Sequence, residues 1–150
     1  MACRAKHLGS IVSASGETLN RGKVAGIERL KALCPVIALS NGNIALIMAM
    51  ARRAGLPWDA LLGAEVSKAY KPDPLAYLRS ADTLGIAPHE LCLVASHHAD
   101  LAAARSCGLT TAYVARPMEF GGAPAPDEAA AQDWDWTCES IEDLADQMDC

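Results

Sequence analysis

With 150 residues, 51% of them hydrophobic, the chain is long enough for one domain with a sizeable core and too apolar to stay disordered. A formal net charge of −5 without a Lys/Arg cluster argues against a nucleic-acid surface. The longest apolar run, residues 44–51, is too short to span a bilayer, so no membrane partner is expected.

The N-terminus, "MACRAKHLGSIVSAS", has some charge followed by a few apolar residues but no long apolar core and no convincing cleavage site, so a signal peptide is not expected. The first 23 residues are left as a segment of uncertain role, with an α/β core over residues 24–150. The six cysteines, Cys3, Cys34, Cys92, Cys107, Cys138 and Cys150, are scattered and form no C-x-x-C pair. They read as small hydrophobes in a reducing cytoplasm, neither metal ligands nor disulfides.

From residue 35 the punctuation is regular. Residues 35–39 are an apolar run that reads as a strand buried on both faces. Asn43 can cap a helix over residues 44–54, which Gly55 ends. A weaker strand follows at 60–64. Asp73 and Pro74 open a helix that runs to Leu84 and stops at Gly85. Residues 91–95 form a third strand, 99–107 a helix closed by Gly108, and 110–115 a fourth strand. A loop rich in Gly, Pro and Ala leads to a last strand at 134–138 and a last helix at 140–148. Strands alternating with helices of about three turns imply βαβ units, and hence a parallel sheet with helices on both faces.

Ligands bind such sheets beyond the carboxyl ends of the strands. The polar residues gather there: Ser40 and Asn41 after the first strand, Lys71 after the second, and Ser96, His97, His98 and Asp100 after the third. In "SNGN", residues 40–43, a hydroxyl and a helix N-terminus can hold an anion, or Asn43 can be an ordinary cap. In "YKPDP", residues 70–74, Pro72 and Pro74 restrict the residues before them. Lys71 then sits on a stiff loop, where a fixed ammonium can balance negative charge. The plain alternative is a surface lysine ahead of a helix that Asp73 caps. In "VASHHADLAAA", residues 94–104, Asp100 can serve a site or the first helical turn. The adjacent histidines point in different directions and make a poor metal pair.

Taken together and in this order, "LSNGN", "YKPDP" and "LVASHHADLAAARSCGLTTAYVARP" resemble the second, third and fourth motifs of the haloacid dehalogenase (HAD) superfamily. The (S)-2-haloacid dehalogenase branch is the one most resembled. The resemblance implies a Rossmann-like HAD core and a small anionic substrate. It implies that Ser40 and Asn41 hold the substrate carboxylate or departing halide, that Lys71 pairs with a nucleophilic carboxylate, and that Tyr77 lines the site. Asp100 would orient the lysine or water, and would bind Mg2+ in the phosphatase branches. The dehalogenase branch needs no cofactor. The chain departs from the pattern at Ala95, where a serine is common, and at His97, where an asparagine helps to place the hydrolytic water. Ser96 lies beside them.

The same resemblance calls for an aspartate nucleophile on a first, central strand, in a D-x-D-x-T or D-x-x-G-T motif, with a helical cap between it and the second motif. No aspartate precedes Asp59, and a cap domain is not expected. "DWDWT", residues 133–137, fits D-x-D-x-T to the letter. It follows "DEAAAQ" instead of an apolar strand, and it lies where the family has its last strand. "SIVSASGETLN", residues 10–20, echoes the motif faintly, with serines in place of carboxylates and one residue inserted. If these residues do not fill the central strand, its neighbours lack partners, and another fragment or a second copy in a homodimer would have to complete the sheet. The expected function is a HAD-like hydrolase resembling 2-haloacid dehalogenases and impaired by the missing aspartate. The alternatives are a phosphatase of the same superfamily and a non-catalytic anion-binding remnant.

Overall fold

A computed structural model of the chain describes residues 9–13, 21–116, 123 and 133–149. Six strands form one sheet: β1 (Ser10–Ser13), β2 (Val36–Leu39), β3 (Ala60–Leu62), β4 (Leu91–Ala95), β5 (Thr110–Val114) and β6 (Trp136–Cys138). Their order is β3-β2-β1-β4-β5-β6, and every pairing is parallel. The helices are α1 (Arg21–Lys31), α2 (Ile44–Ala54), α3 (Ala64–Ser67), α4 (Pro74–Leu84), α5 (His98–Ser106) and α6 (Ile141–Met148).

The strands are short and apolar, and they send alternate residues to opposite faces. Ile11, Val36, Cys92, Val94, Ala112 and Trp136 pack on one side with Ile27 and Leu30 of α1 and with Leu144 and Met148 of α6. Ile37, Leu39, Leu91, Leu93 and Ala95 pack on the other with Tyr77 and Ala81 of α4 and with Leu101 and Ala104 of α5. Helices on both faces of a parallel sheet give the expected Rossmann-like architecture.

The middle of the sheet is the main surprise. Ser10–Ser13, from the weak "SIVSASGETLN" echo, is the central strand, with Ser13 opposite Ala38 on one side and Val94 on the other. Backbone bonds from Gly9 N–H to the Glu90 carbonyl and from Ile11 N–H to the Pro35 carbonyl lock it in place. β2 and β4 therefore keep their partners within this one chain. Only residues 14–20 separate β1 from α1, too short a link for a helical cap domain at that point. From β1 the chain steps to β2 and β3 on one side and then crosses to β4 on the other. The order reverses between β1 and β4, and in parallel α/β sheets ligands bind beyond the carboxyl ends of the strands at such a point.

The punctuation behaves as its chemistry dictates. Asn43 accepts from Leu46 N–H at 2.8 Å to start α2, and Gly55 ends it at φ 63°. Asp73 accepts from Leu75 N–H at 2.8 Å with Pro74 in the first turn, and Gly85 at φ 70° closes α4. Ser140 caps α6 through Asp143 N–H. Two helices, α1 and the one-turn α3, lie outside the elements read from the sequence.

The "DWDWT" stretch leads into and forms part of edge strand β6, as its position after the fourth motif implies. Asp135 Oδ2 accepts from both the N–H and the hydroxyl of Thr111, at 2.9 and 3.0 Å. Its carboxylate is thus part of the sheet edge. Among the described residues Cys34, Cys92, Cys107 and Cys138 are thiols, and burial pushes Cys34 up to about 11. No helix among the described residues is long and apolar enough to cross a membrane.

Candidate active site

Of the polar residues predicted at the strand ends, Lys71 meets Asp100, and Tyr77 of α4 joins them. Asp100 lies in the first turn of α5, which follows β4, yet it does not cap the helix. His97 is the N-cap residue and makes no side-chain cap bond. The Asp100 carboxylate reaches across to the third motif and to the helix that follows it. Its Oδ2 accepts from Lys71 Nζ at 2.8 Å, and its Oδ1 accepts from the Tyr77 hydroxyl at 2.5 Å. The Lys71 and Asp100 side chains are only 12% and 14% exposed, so the ion pair is largely shielded from water. Burial first, and then the neighbouring carboxylate, push the Tyr77 phenol well above its ordinary range. Tyr77 is therefore a neutral donor, and both oxygens of Asp100 are engaged.

Asn41 joins the second motif to this network. Its carboxamide makes two bonds to the backbone of one residue. Oδ1 accepts from Lys71 N–H at 2.7 Å, and Nδ2 donates to the Lys71 carbonyl at 3.1 Å. The Lys71–Pro72 peptide is cis. Ser40 immediately precedes Asn41; its N–H donates to the Leu62 carbonyl, and its hydroxyl accepts from Gly42 N–H at 3.0 Å. That hydroxyl still has its own hydrogen to donate.

The helix N-terminus after "SNGN" is already satisfied in part. Asn43 takes Leu46 N–H, and the Glu65 carboxylate takes Ile44 N–H at 2.7 Å. Glu65 was not foreseen. It belongs to α3, and its only signal in the sequence is an acid two residues after Gly63 at the end of a strand. Gly63 has to be glycine: a Cβ there would stand 2.8 Å from Ile44 N and 2.9 Å from the Gly42 carbonyl oxygen.

Ser96 directly follows β4 and is 6% exposed. Its Oγ has no hydrogen-bond partner among the described residues. A buried hydroxyl in that state is costly unless a ligand or water meets it. His97 beside it is half-buried. His98 turns inward instead. It stacks on Tyr113 at 4.6 Å, and its Nδ1 accepts from the indole N–H of Trp134 at 3.0 Å. Arg105 lies over the Trp134 ring and donates to the Asp133 carbonyl. His98 is thus engaged with aromatic rings, and no group of three or more His, Cys, Asp or Glu side chains among the described residues could hold a metal.

A largely shielded ammonium–carboxylate–phenol chain, with Ser40 and Ser96 in the turns that follow β2 and β4, is a set of groups suited to a small anion. A family profile described as haloacid dehalogenase-like hydrolase matches residues 2–108. The chain is 38% identical over 104 residues to (S)-2-haloacid dehalogenase 4A of Burkholderia cepacia, a match that covers 65% of this chain and 45% of that one. It is 31% identical over 134 residues to a phosphoglycolate phosphatase of Chromobacterium violaceum, covering 87% and 57%. The crystal structure of the L-2-haloacid dehalogenase PA0810 superposes with a TM-score of 0.82 at 47% identity, covering 87% of this chain and 56% of that one. The chain thus spans about half the length of these relatives. On the profile match, the three motifs and the shared fold, the chain belongs to the haloacid dehalogenase-like hydrolases.

Proposed function

We propose that this site handles small 2-haloacids by hydrolytic dehalogenation, with the Lys71–Asp100–Tyr77 chain as the observation that carries the reading. The reaction needs a carboxylate at the carboxyl end of β1. It attacks the halogen-bearing carbon, the new C–O bond forms as the carbon–halogen bond breaks, and halide departs with the electron pair. Water then adds to the ester carbonyl, releasing the 2-hydroxy acid and a proton and restoring the carboxylate. Lys71 supplies fixed positive charge beside that carboxylate, Asp100 and Tyr77 hold the ammonium in place, and the hydroxyls of Ser40 and Ser96 donate to the substrate carboxylate or the halide. His97 flanks the water. No cofactor takes part, and the thiol cysteines suit a cytoplasmic setting.

The nucleophile is the missing part. Ser13 ends the central strand, and no aspartate precedes Asp59. The chain is therefore expected to hold the anion while releasing halide only slowly. The names of the relatives at 38% and 47% identity support the haloacid reading. The phosphatase relative keeps a second reading open, with Mg2+ held near Asp100. The residues do not fit that ion well, because Lys71 and Tyr77 occupy both oxygens of Asp100.

The test is halide release from 2-chloropropionate. The chain itself should stay near background, Ser13→Asp should raise the rate at least tenfold, and Ser13→Asp with Lys71→Ala should return it to background. A folded Ser13→Asp variant that releases no halide but hydrolyses a phosphate monoester in Mg2+ would overturn the haloacid reading.

A further inference from the structure

We propose that Asn41 is a positioning residue that acts through Lys71, its carboxamide fixing the lysine backbone so that the ammonium reaches Asp100; this deepens the dehalogenase reading and rests on it. Lys71 lies on the connection between α3 and α4, which has little packing of its own. Lys68 stands at φ 52°, and Tyr70 is 66% exposed. Apart from the bonds at Lys71, the connection is braced by two local bonds, from the Ser67 hydroxyl to the Ala69 carbonyl and from Asp73 N–H to the Tyr70 carbonyl. The bonds made by the Lys71 N–H and carbonyl are those to Asn41, at 2.7 and 3.1 Å.

Two bonds from one planar carboxamide to one residue fix more than a position. They set the plane of the flanking peptides and with it the direction in which the Lys71 side chain leaves the backbone. A lysine side chain has four rotatable bonds and loses much rotamer freedom when its end is held. Here it is tethered at both ends, by Asn41 at the backbone and by Asp100 at Nζ. The geometry is specific to asparagine. Aspartate can accept from the N–H but cannot donate to the carbonyl, serine cannot reach both, and glutamine is one methylene too long. Asn41 itself sits in the turn directly after β2, where Ser40 is bonded to Leu62 and Gly42, so the clamp is anchored to the sheet.

The experiment is competitive acetylation of the folded chain with acetic anhydride, read by mass spectrometry as the rate at Lys71 relative to exposed Lys68. In the unaltered chain Lys71 should react slowly. Asn41→Ala should raise the Lys71:Lys68 ratio at least fivefold, and Asn41→Asp, which keeps one of the two bonds, should fall between. Asp59→Asn, which loosens the fold away from the site, serves as the control and should leave the ratio unchanged. If Asn41→Ala does not fold, Asn41→Asp alone must raise the ratio at least twofold. An unchanged ratio in the folded Asn41 variants, or an equal rise in the Asp59→Asn control, overturns the proposal. Halide release plays no part in this readout, so failure of the clamp and failure of the dehalogenase reading are told apart.

Discussion

Trp134 donates its indole N–H to Nδ1 of His98 at 3.0 Å, and both side chains are buried. The bond joins the start of α5 to the segment that leads into β6. Trp134→Phe keeps an aromatic ring but leaves a buried ring nitrogen without its donor. The expected loss is about 1–3 kcal/mol in urea unfolding. The His98→Phe/Trp134→Phe double variant should lose less than the sum of the two single variants; strict additivity would show that the bond contributes nothing.

Asp100 faces two donors at once, so removing one should cost more than removing the charge as a pair. Lys71→Met leaves a largely buried carboxylate with only Tyr77 and should destabilise the chain by about 3 kcal/mol. Lys71→Met combined with Asp100→Asn removes the unpaired charge and should recover part of that loss. Denaturant midpoints of the four chains in this cycle measure the coupling directly.

Tyr77 gives an alkaline signature. Burial, and then Asp100, raise its phenol above the ordinary 10.0. The folded state thus favours the protonated form. That contribution is complete below the ordinary phenol range and is lost as pH rises through and beyond it. Thermal unfolding of the parent chain and Tyr77→Phe, compared from pH 7 to 11, should show a difference that shrinks only above about pH 10. A difference that stays constant across this range would show that the phenol proton is not linked to folding.

Gly63→Ala tests the close approach of the two loops beside the site. The added methyl would meet the Ile44 nitrogen, the Gly42 carbonyl and the Glu65 carboxylate, and two of these three are backbone. A loss of about 2 kcal/mol or more is expected. Glu65→Gln, which keeps an acceptor for Ile44 N–H, should cost much less.

The parts of this fold that were legible in the sequence were those with local causes. Asn43 and Gly55 bracket α2, Asp73-Pro74 and Gly85 bracket α4, and each works through bonds within a few residues. β4 was legible because five successive apolar residues leave no other use for them. β1 was not, because Ile11 and Val12 are a short apolar pair among serines, and what makes them a strand is Pro35 and Leu91 supplied from far along the chain. The Lys71–Asp100 pairing was foreseen only through the motif resemblance. Nothing local predicts that Asn41 grips a backbone 30 residues away, or that Trp134 finds a histidine 36 residues before it.

The placement of β1 also constrains how the chain is assembled. Residues 10–13 are synthesised ahead of every other strand described here, yet they are bonded on both sides, to residues 36–38 and 91–94. The emerging segment cannot find its second neighbour until most of the polypeptide has left the ribosome. Within the hydrogen-bonded sheet described here, the two flanks meet through this four-residue stave, so a peptide carrying it, offered to a chain that lacks it, would act as a keystone by which folding can be switched on from outside.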